Sequence, residues 1–504
     1  MTPEQREQIL THNNAMRAKG YDVDCKEGTN GNRVITITNP TTGKRKVLNI
    51  DPKQDLELLA NYGNVLPQVK KLLHKNLSIK GRHLHFAGRD TVELAEEYGT
   101  PLMLLDEQGI RDNCRTYQSA MQEHFPAGSK PAYASKALSF VGLNRILAEE
   151  NMDLDVASVG EIYTAQKANF PMDKVRFHSN TKTDSDILYA LNNRVGYFMV
   201  DNMEELTALD MMTWGDGIHR KVFLRITPGV DAHTHKKITT GTIDSKFGFP
   251  IAGGVAEKAV EHVLKFCENL ELAGYHCHIG SQIFDVTPYE QTVDTMLQFS
   301  ADMKKKFGYE APEIVLGGGF GVRYTEEQPQ VDYTENIARI GRRVTAVSSE
   351  LGLNLPKIGL EPGRSIVAAN GMTLYTVGSV KEIPGAKNYV ITDGGMADNP
   401  RYALYQSPYT ILHANKADAP KDFVATIAGR ACESGDIIQE NVELPKPKRG
   451  DTLAVCTTGA YNYAMASNYN RLCRPAIVSI DKDGNDKVVV NRETLEDLVR
   501  NDVR

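Results

Sequence analysis

The chain has 504 residues, 58 Lys and Arg against 64 Asp and Glu, and a formal net charge of −6. That length accommodates a barrel of about 250 residues with an appended module, and the mild acidity excludes a field that would collect nucleic acid or anionic membrane, so a small molecule is the expected partner. The seven cysteines, at 25, 114, 267, 277, 432, 456 and 473, contain no C-x-x-C pair, which argues against a disulfide framework or a zinc site and for a reducing compartment.

The first residues, Met1-Thr-Pro-Glu-Gln, carry no basic leader before an apolar stretch, and no run along the chain is long enough to cross a bilayer. A soluble, cytoplasmic protein is expected. Thr2, Pro3 and Gln5 form a capping-box pattern with proline at the first helical position, and Ile9, Leu10 and Met16 supply the apolar side of a short helix. Residues 33–38 alternate as a strand, Asn39-Pro-Thr-Thr-Gly43 turns the chain, and residues 44–50 return, which predicts a hairpin. A second helical stretch is expected over 56–73. Residues 1–80 are therefore expected to form a small α+β N-terminal extension without a chemical motif, its role open.

From Lys130 to Arg364 short apolar β-rich runs alternate with helical stretches such as 141–150 and 161–169. The runs number eight: 132–135, 154–157, 175–178, 197–200, 222–226, 272–279, 314–316 and 358–360. Eight βα units predict an α/β fold of the (β/α)8 TIM-barrel type, with an open doubly wound sheet as the rival. Polar residues at the C-terminal ends of the runs favour the barrel, because those ends converge on one mouth: Lys136, Asp155 with Ser158, Asn180, Asp201, His278, Gly317 to Gly319, and Glu361 with Arg364. Beyond Arg364 the runs 372–380, 389–393, 423–428 and 452–456 predict a mainly β domain over 369–504 that completes the site. The barrel is assigned to 81–368, and a strand preceding its first run could belong either to the barrel or to the β domain.

Lys136, closing an apolar strand, is poorly solvated, and a lowered pKa would suit it to imine formation; a lysine that merely points into solvent is the plainer reading. The glycine triplet after the seventh run and Glu361-Pro362-Gly363-Arg364 after the eighth occupy the loops that build phosphate sites in many barrels. A carboxylate such as Glu361 facing a pyridine nitrogen keeps it protonated and favours carbanion chemistry at Cα; the alternative is a salt bridge to Arg364. His276 and His278 share one strand face, yet no third ligand stands at a recognisable spacing, so no metal is expected. Stacking on a planar cofactor is an equally good use of His278, and core packing of His276.

Taken in order, Tyr133-Ala-Ser-Lys-Ala137, His278-Ile-Gly-Ser-Gln282, Gly317-Gly-Gly-Phe320, Glu361-Pro-Gly-Arg364, Cys432-Glu-Ser-Gly-Asp436 and the segment from Gly459 to Asn470 resemble the barrel-type pyridoxal-phosphate decarboxylases. Arg225-Ile-Thr-Pro-Gly-Val-Asp-Ala-His-Thr-His235, Ser245-Lys-Phe-Gly248 and Arg401-Tyr-Ala-Leu-Tyr405 are most similar to the branch acting on meso-2,6-diaminopimelate, which forms L-lysine and CO2 at the end of lysine biosynthesis. The resemblance implies that Lys136 carries pyridoxal 5'-phosphate and His278 stacks on it. Asp155, Ser281, Gly318, Gly319 and the Glu361, Pro362, Gly363, Arg364 loop complete the cofactor site with Tyr461. It further implies that Arg364, Arg401 and Tyr405 receive substrate carboxylates near Glu433 and Tyr461, and that Cys432 is the proton donor. In this family Cys432 and Glu433 come from the partner chain, so the implied assembly is a homodimer with a shared active site acting on an amino acid. The pattern offers no counterpart for the first 80 residues or so, and Tyr402 and Gly435 depart from it. Decarboxylation of arginine, ornithine or carboxynorspermidine, and a non-catalytic cofactor-binding or regulatory homologue, are the alternatives; Glu361 argues against a racemase.

Overall fold

Helix α1 (Pro3–Ala18) starts on the predicted capping box, with Thr2 N donating to Gln5 Oε1 at 2.8 Å and Gln5 N to Thr2 Oγ1 at 3.2 Å. The computed structural model describes residues 1–66, 72–215, 217–231 and 245–503. Strands β1 (Asp22–Glu27), β2 (Arg33–Thr38) and β3 (Arg45–Ile50) form an antiparallel sheet in that order, so the predicted hairpin gains a third strand. β1 carries no readable alternation because Val23 is its only buried residue. Helix α2 (Leu56–Val65) is shorter than the predicted 56–73: the backbone is already extended at Leu66, and 67–71 lie outside the described residues. Ile9, Met16, Ile35, Ile37, Ile50 and Leu59 give this unit a core of its own.

A small sheet of β4 (Leu77–Lys80), β5 (His83–Phe86) and β6 (Arg89–Asp90) leads into α3 (Thr91–Tyr98), then β7 (Leu102–Asp106) and α4 (Glu107–His124). The barrel follows as β8 (Lys130–Ala134), α5 (Val141–Glu149), β9 (Asp153–Val156), α6 (Val159–Lys167), β10 (Val175–Phe177), α7 (Asp184–Asn192), β11 (Tyr197–Val200), α8 (Met203–Thr213) and β12 (Arg220–Thr227). The short β13 (Phe249–Pro250) and α9 (Val255–Phe266) precede β14 (Leu270–His276), α10 (Thr287–Phe307), β15 (Glu313–Val315), α11 (Tyr333–Glu350) and β16 (Lys357–Leu360). All neighbours pair in parallel, and β11–β12 and β16–β8 close the ring, which rules out the open doubly wound sheet. The eight predicted runs fall on β8–β12 and β14–β16, and the two-residue β13 is an addition beside β12. Both faces of the strands are buried: Leu154, Val156, Phe177 and Phe198 share one face, and Met199, Phe223 and Val315 pack together on the other.

After α12 (Arg364–Val367) come β17 (Gly371–Lys381), β18 (Tyr389–Thr392), α13 (Arg401–Tyr405), β19 (Ile411–His413), β20 (Phe423–Ala428), β21 (Ile437–Leu444), β22 (Thr452–Cys456), β23 (Ala476–Ile480) and β24 (Asp486–Val490). The main sheet runs β21-β20-β18-β17-β7-β23-β24, with β22 joined to β17 and β19. Strand β7, which precedes the barrel, thus lies inside this sheet, antiparallel to β17 and parallel to β23. Among the described residues no helix is long and apolar enough to cross a membrane.

Candidate active site

The C-terminal strand ends and the facing edge of the β domain enclose a cavity of about 390 Å³. Lys136, Asp155, His278, Ser281, Gly318, Gly319, Glu361, Gly363, Arg364, Arg401, Tyr405 and Tyr461 all line it, so residues spread over most of the chain meet in one place. Three non-glycine residues of its wall, Ser179, Gln282 and Tyr461, hold positive φ of 133°, 62° and 60°, a strain that accumulates where the fold over-determines a site.

Glu361 is buried and makes no salt bridge to Arg364. Its Oε2 accepts a hydrogen bond from His276 Nε2 at 2.9 Å, and His178 Nε2 lies 3.0 Å from Oε1. Burial alone would raise the Glu361 carboxyl, but the two histidines outweigh it and hold the group well below 4.5. Burial lowers His276 to about 4 against the pull of Glu361. The histidine rings meet edge to face at 4.9 Å. His178, His276 and Glu361 thus bring together three potential metal ligands that sequence spacing did not show, satisfied here largely by one another.

Asp155 sits between the two halves of this floor, with Oδ1 3.6 Å from His178 Nε2 and Oδ2 3.9 Å from Lys136 Nζ. Burial raises its carboxyl. Lys136, in the turn Ser135–Ala137 after β8, corrects the expectation of a lowered pKa: burial alone would depress it, but Asp155, Tyr461 and Glu361 overcome burial and raise it. An acidic surround keeps the amine charged.

The phosphate-type loops close the opposite wall. A Cβ on Gly318 would lie 1.9 Å from Glu361 O, and one on Gly319, at φ +101°, 2.1 Å from Gly280 O, so only glycine permits this approach of loops. Gly318 N donates to His278 Nδ1 at 3.3 Å. Burial, then Lys136 and Arg225, hold His278 well below its ordinary value, leaving a neutral ring. Pro362 does not line the cavity; its carbonyl accepts from Ala134 N at 3.1 Å and ties the loop to β8. Arg364 donates to Ser281 Oγ at 3.0 Å and to Tyr324 Oη at 2.8 Å, its guanidinium 4.6 Å from the Tyr461 ring centre. Tyr461 N donates to Ala137 O at 2.8 Å, fastening the β domain to the Lys136 turn.

Arg401, buried at the start of α13, donates to Tyr409 Oη at 3.0 Å and stacks 4.4 Å from the Tyr324 ring centre. Among the described residues both arginines find hydroxyls and rings but no carboxylate partner. Cys432 and Glu433 lie apart from this cavity, on an exposed turn where Cys432 N donates to Asn470 Oδ1 at 2.7 Å. Their placement differs from that of the other site candidates.

Sequence reasoning missed His178, Arg225, Tyr324 and Tyr409 as site residues. His178 ends the third run, the signal that singled out Lys136 and Glu361, whereas Arg225 lies inside the fifth run, two residues before the end of β12. Arg225 lines the cavity with its Nε 3.8 Å from Asp201 Oδ1 and its guanidinium 4.3 Å from the Phe247 ring centre. Residues 232–235 of the segment beginning at Arg225 lie outside the described residues. Tyr324 and Tyr409 carry no local signal; only the fold brings them under the arginines.

The model of the pyridoxal-dependent decarboxylase pyridoxal-binding domain matches residues 108–368, and that of the C-terminal sheet domain of the same decarboxylases matches 366–459. Diaminopimelate decarboxylase of Bacillus subtilis (strain 168) is 45% identical over 84% of this chain and 95% of its own; that of Staphylococcus aureus (strain COL) is 43% identical over 82% and 95%. Diaminopimelate decarboxylase of M. jannaschii in complex with L-lysine superposes with a TM-score of 0.79 at 34% identity, covering 86% of this chain and 99% of that one.

Proposed function

The chain belongs to the pyridoxal-dependent decarboxylases, and from that membership we infer that it decarboxylates meso-2,6-diaminopimelate to L-lysine and CO2 with pyridoxal 5'-phosphate as cofactor. The observation that carries the substrate is the pair of buried guanidiniums, Arg364 and Arg401, without a carboxylate partner among the described residues. Buried cations of this kind demand an anion. A substrate with an amino acid at each end brings two carboxylates, whereas the cationic far end of ornithine or arginine would meet Arg401 with like charge.

The residues fit the cofactor. Lys136 offers an amine to the cavity, Gly318 and Gly319 bring loop backbone to its wall in packing that only glycine allows, and the buried Arg364 Nε lacks a hydrogen-bond partner among the described residues. When bound, pyridoxal phosphate supplies the electron sink that accepts the pair left at Cα as CO2 departs.

The protein's own groups set the conditions. His276 and His178 hold Glu361 anionic, so that it would keep a proton at the ring nitrogen of the bound cofactor. Asp155 stands ready to hold the proton that the Lys136 amine releases. His278, neutral, offers a ring face, and the glycine loops with Ser281, Arg364 and Tyr461 would hold the phosphate and ring ends. Arg364, Arg401 and Tyr405 orient the carboxylates, and the substrate is thereby aligned before bond cleavage. Cys432 reprotonates Cα, with Glu433 beside the substrate, both from the partner of a homodimer; their exposure outside their own chain's cavity supports this sharing. The enzyme works in the cytoplasm, in keeping with its seven free cysteines. Residues 1–80 form an extension to the barrel of 81–368 and the β domain of 369–504. Incubating the purified protein with pyridoxal phosphate and meso-diaminopimelate should release lysine and CO2; turnover of ornithine or arginine instead would refute the substrate.

A further inference from the structure

We infer that Tyr324 is a specificity-determining positioning residue, which holds the guanidiniums of Arg364 and Arg401 in register at one end of the cavity to receive a substrate carboxylate. This rests on the functional reading above. Tyr324 follows the glycine loop after β15, is 1% exposed, and does not itself line the cavity. Its hydroxyl accepts from Arg364 at 2.8 Å while its ring lies under the Arg401 guanidinium at 4.4 Å, so one phenol touches both cations in different ways. The hydroxyl oxygen and the π face are both electron-rich, which offsets the repulsion of two like charges brought to one end of a cavity.

The phenol is itself held from the β domain. Tyr324 O accepts from Thr410 N at 3.1 Å and Thr410 Oγ1 at 2.9 Å, and the Tyr409 ring meets it edge to face at 5.6 Å. Tyr409 Oη accepts from Arg401 at 3.0 Å and donates to Asn462 Oδ1 at 3.2 Å. The barrel arginine and the β-domain arginine are thereby registered through two packed tyrosines rather than through an acid, which would neutralise them. Although burial would push the Tyr324 phenol up, Arg364 and Arg401 prevail and lower it, as expected for a group serving two cations.

Tyr324→Phe keeps the ring and removes the acceptor. In the holoenzyme it should raise KM for meso-diaminopimelate about tenfold, with kcat within about twofold. Inhibition by L-lysine, which keeps one carboxylate, should weaken in step, while inhibition by 1,5-diaminopentane, which has none, should not change. Tyr409→Phe, which removes only the hydroxyl that accepts from Arg401, should give the same pattern. If all three ligands weaken together, or KM and the lysine constant stay put while the wild type turns over diaminopimelate, Tyr324 merely packs and the inference fails alone. If the wild type does not turn over diaminopimelate, the functional reading fails and this falls with it.

Discussion

Replacing Glu361 by Gln conserves volume and removes one charge from the cavity floor. His276 Nε2 can still donate to the carboxamide oxygen at the 2.9 Å it now spans, and the amide nitrogen would face His178, 3.0 Å from the present Oε1. The fold should persist, since that histidine can accept by switching tautomer. What is lost is the anion for the protonated ring nitrogen. A hydrogen bond to a charged group is worth about 1.5–3 kcal/mol, and about 1.4 kcal/mol is a factor of ten, so kcat should fall roughly 10- to 150-fold. KM should move less than about threefold, because the carboxylates are received by Arg364 and Arg401 rather than by the floor. Initial rates of CO2 release across substrate concentration separate the two parameters, and the cofactor's absorbance reports its continued attachment. A kcat within about threefold of the wild type, with cofactor bound, would show that Glu361 does not govern the electron sink.

Three further outcomes are expected. Lys136→Ala should remove the absorbance of lysine-attached cofactor near the visible edge and leave borohydride nothing to fix to the protein; a surviving band would place the cofactor on another lysine. Lys136→Ala and Cys432→Ala should each be nearly inactive alone, yet re-associated in equal amounts they should recover about a quarter of wild-type activity, since half the dimers carry one intact shared site; no recovery in dimers shown to exchange subunits would confine each site to one chain. Burial raises Asp398, which accepts from Tyr375 and from Gly395 N at 3.0 Å, from 3.8 to about 7. The folded form therefore holds the extra proton between those values, and stability falls as pH rises through them. Asp398→Asn should gain about 1–2 kcal/mol over the wild type on moving from about pH 5 to about pH 8 in urea melts, and an equal difference at both would contradict the assignment.

The barrel is legible because most of its strands are apolar runs closed by a polar residue, and a strand's end is also its place at the mouth. The same rule that marks Lys136 and Glu361 marks His178, which is hidden because it reads as the tail of a strand; Arg225 escapes the rule because it lies inside its run. Other features cannot be read locally. The charge on Lys136 is decided by Asp155, Tyr461 and Glu361 together, three groups from distant segments that outweigh the desolvation visible at the strand end. Strand β1 hides because its outward residues are charged, and α2 stops at Val65 although apolar residues continue beyond it. The phenols under the two arginines are ordinary core aromatics to any pattern of spacing.

Strand β7 gives the order of assembly during synthesis. It leaves the ribosome before any barrel strand, yet its partners β17 and β23 are made only after the whole barrel, with Leu102 finally beside Ala476. Until then it is an apolar strand with open edges, a state prone to wrong pairing. Such remote pairing closes slowly. Because the same late segment delivers Arg401 and Tyr461 to the cavity, a nascent or C-terminally clipped chain can display the Lys136 amine but not the walls that aim a substrate at it.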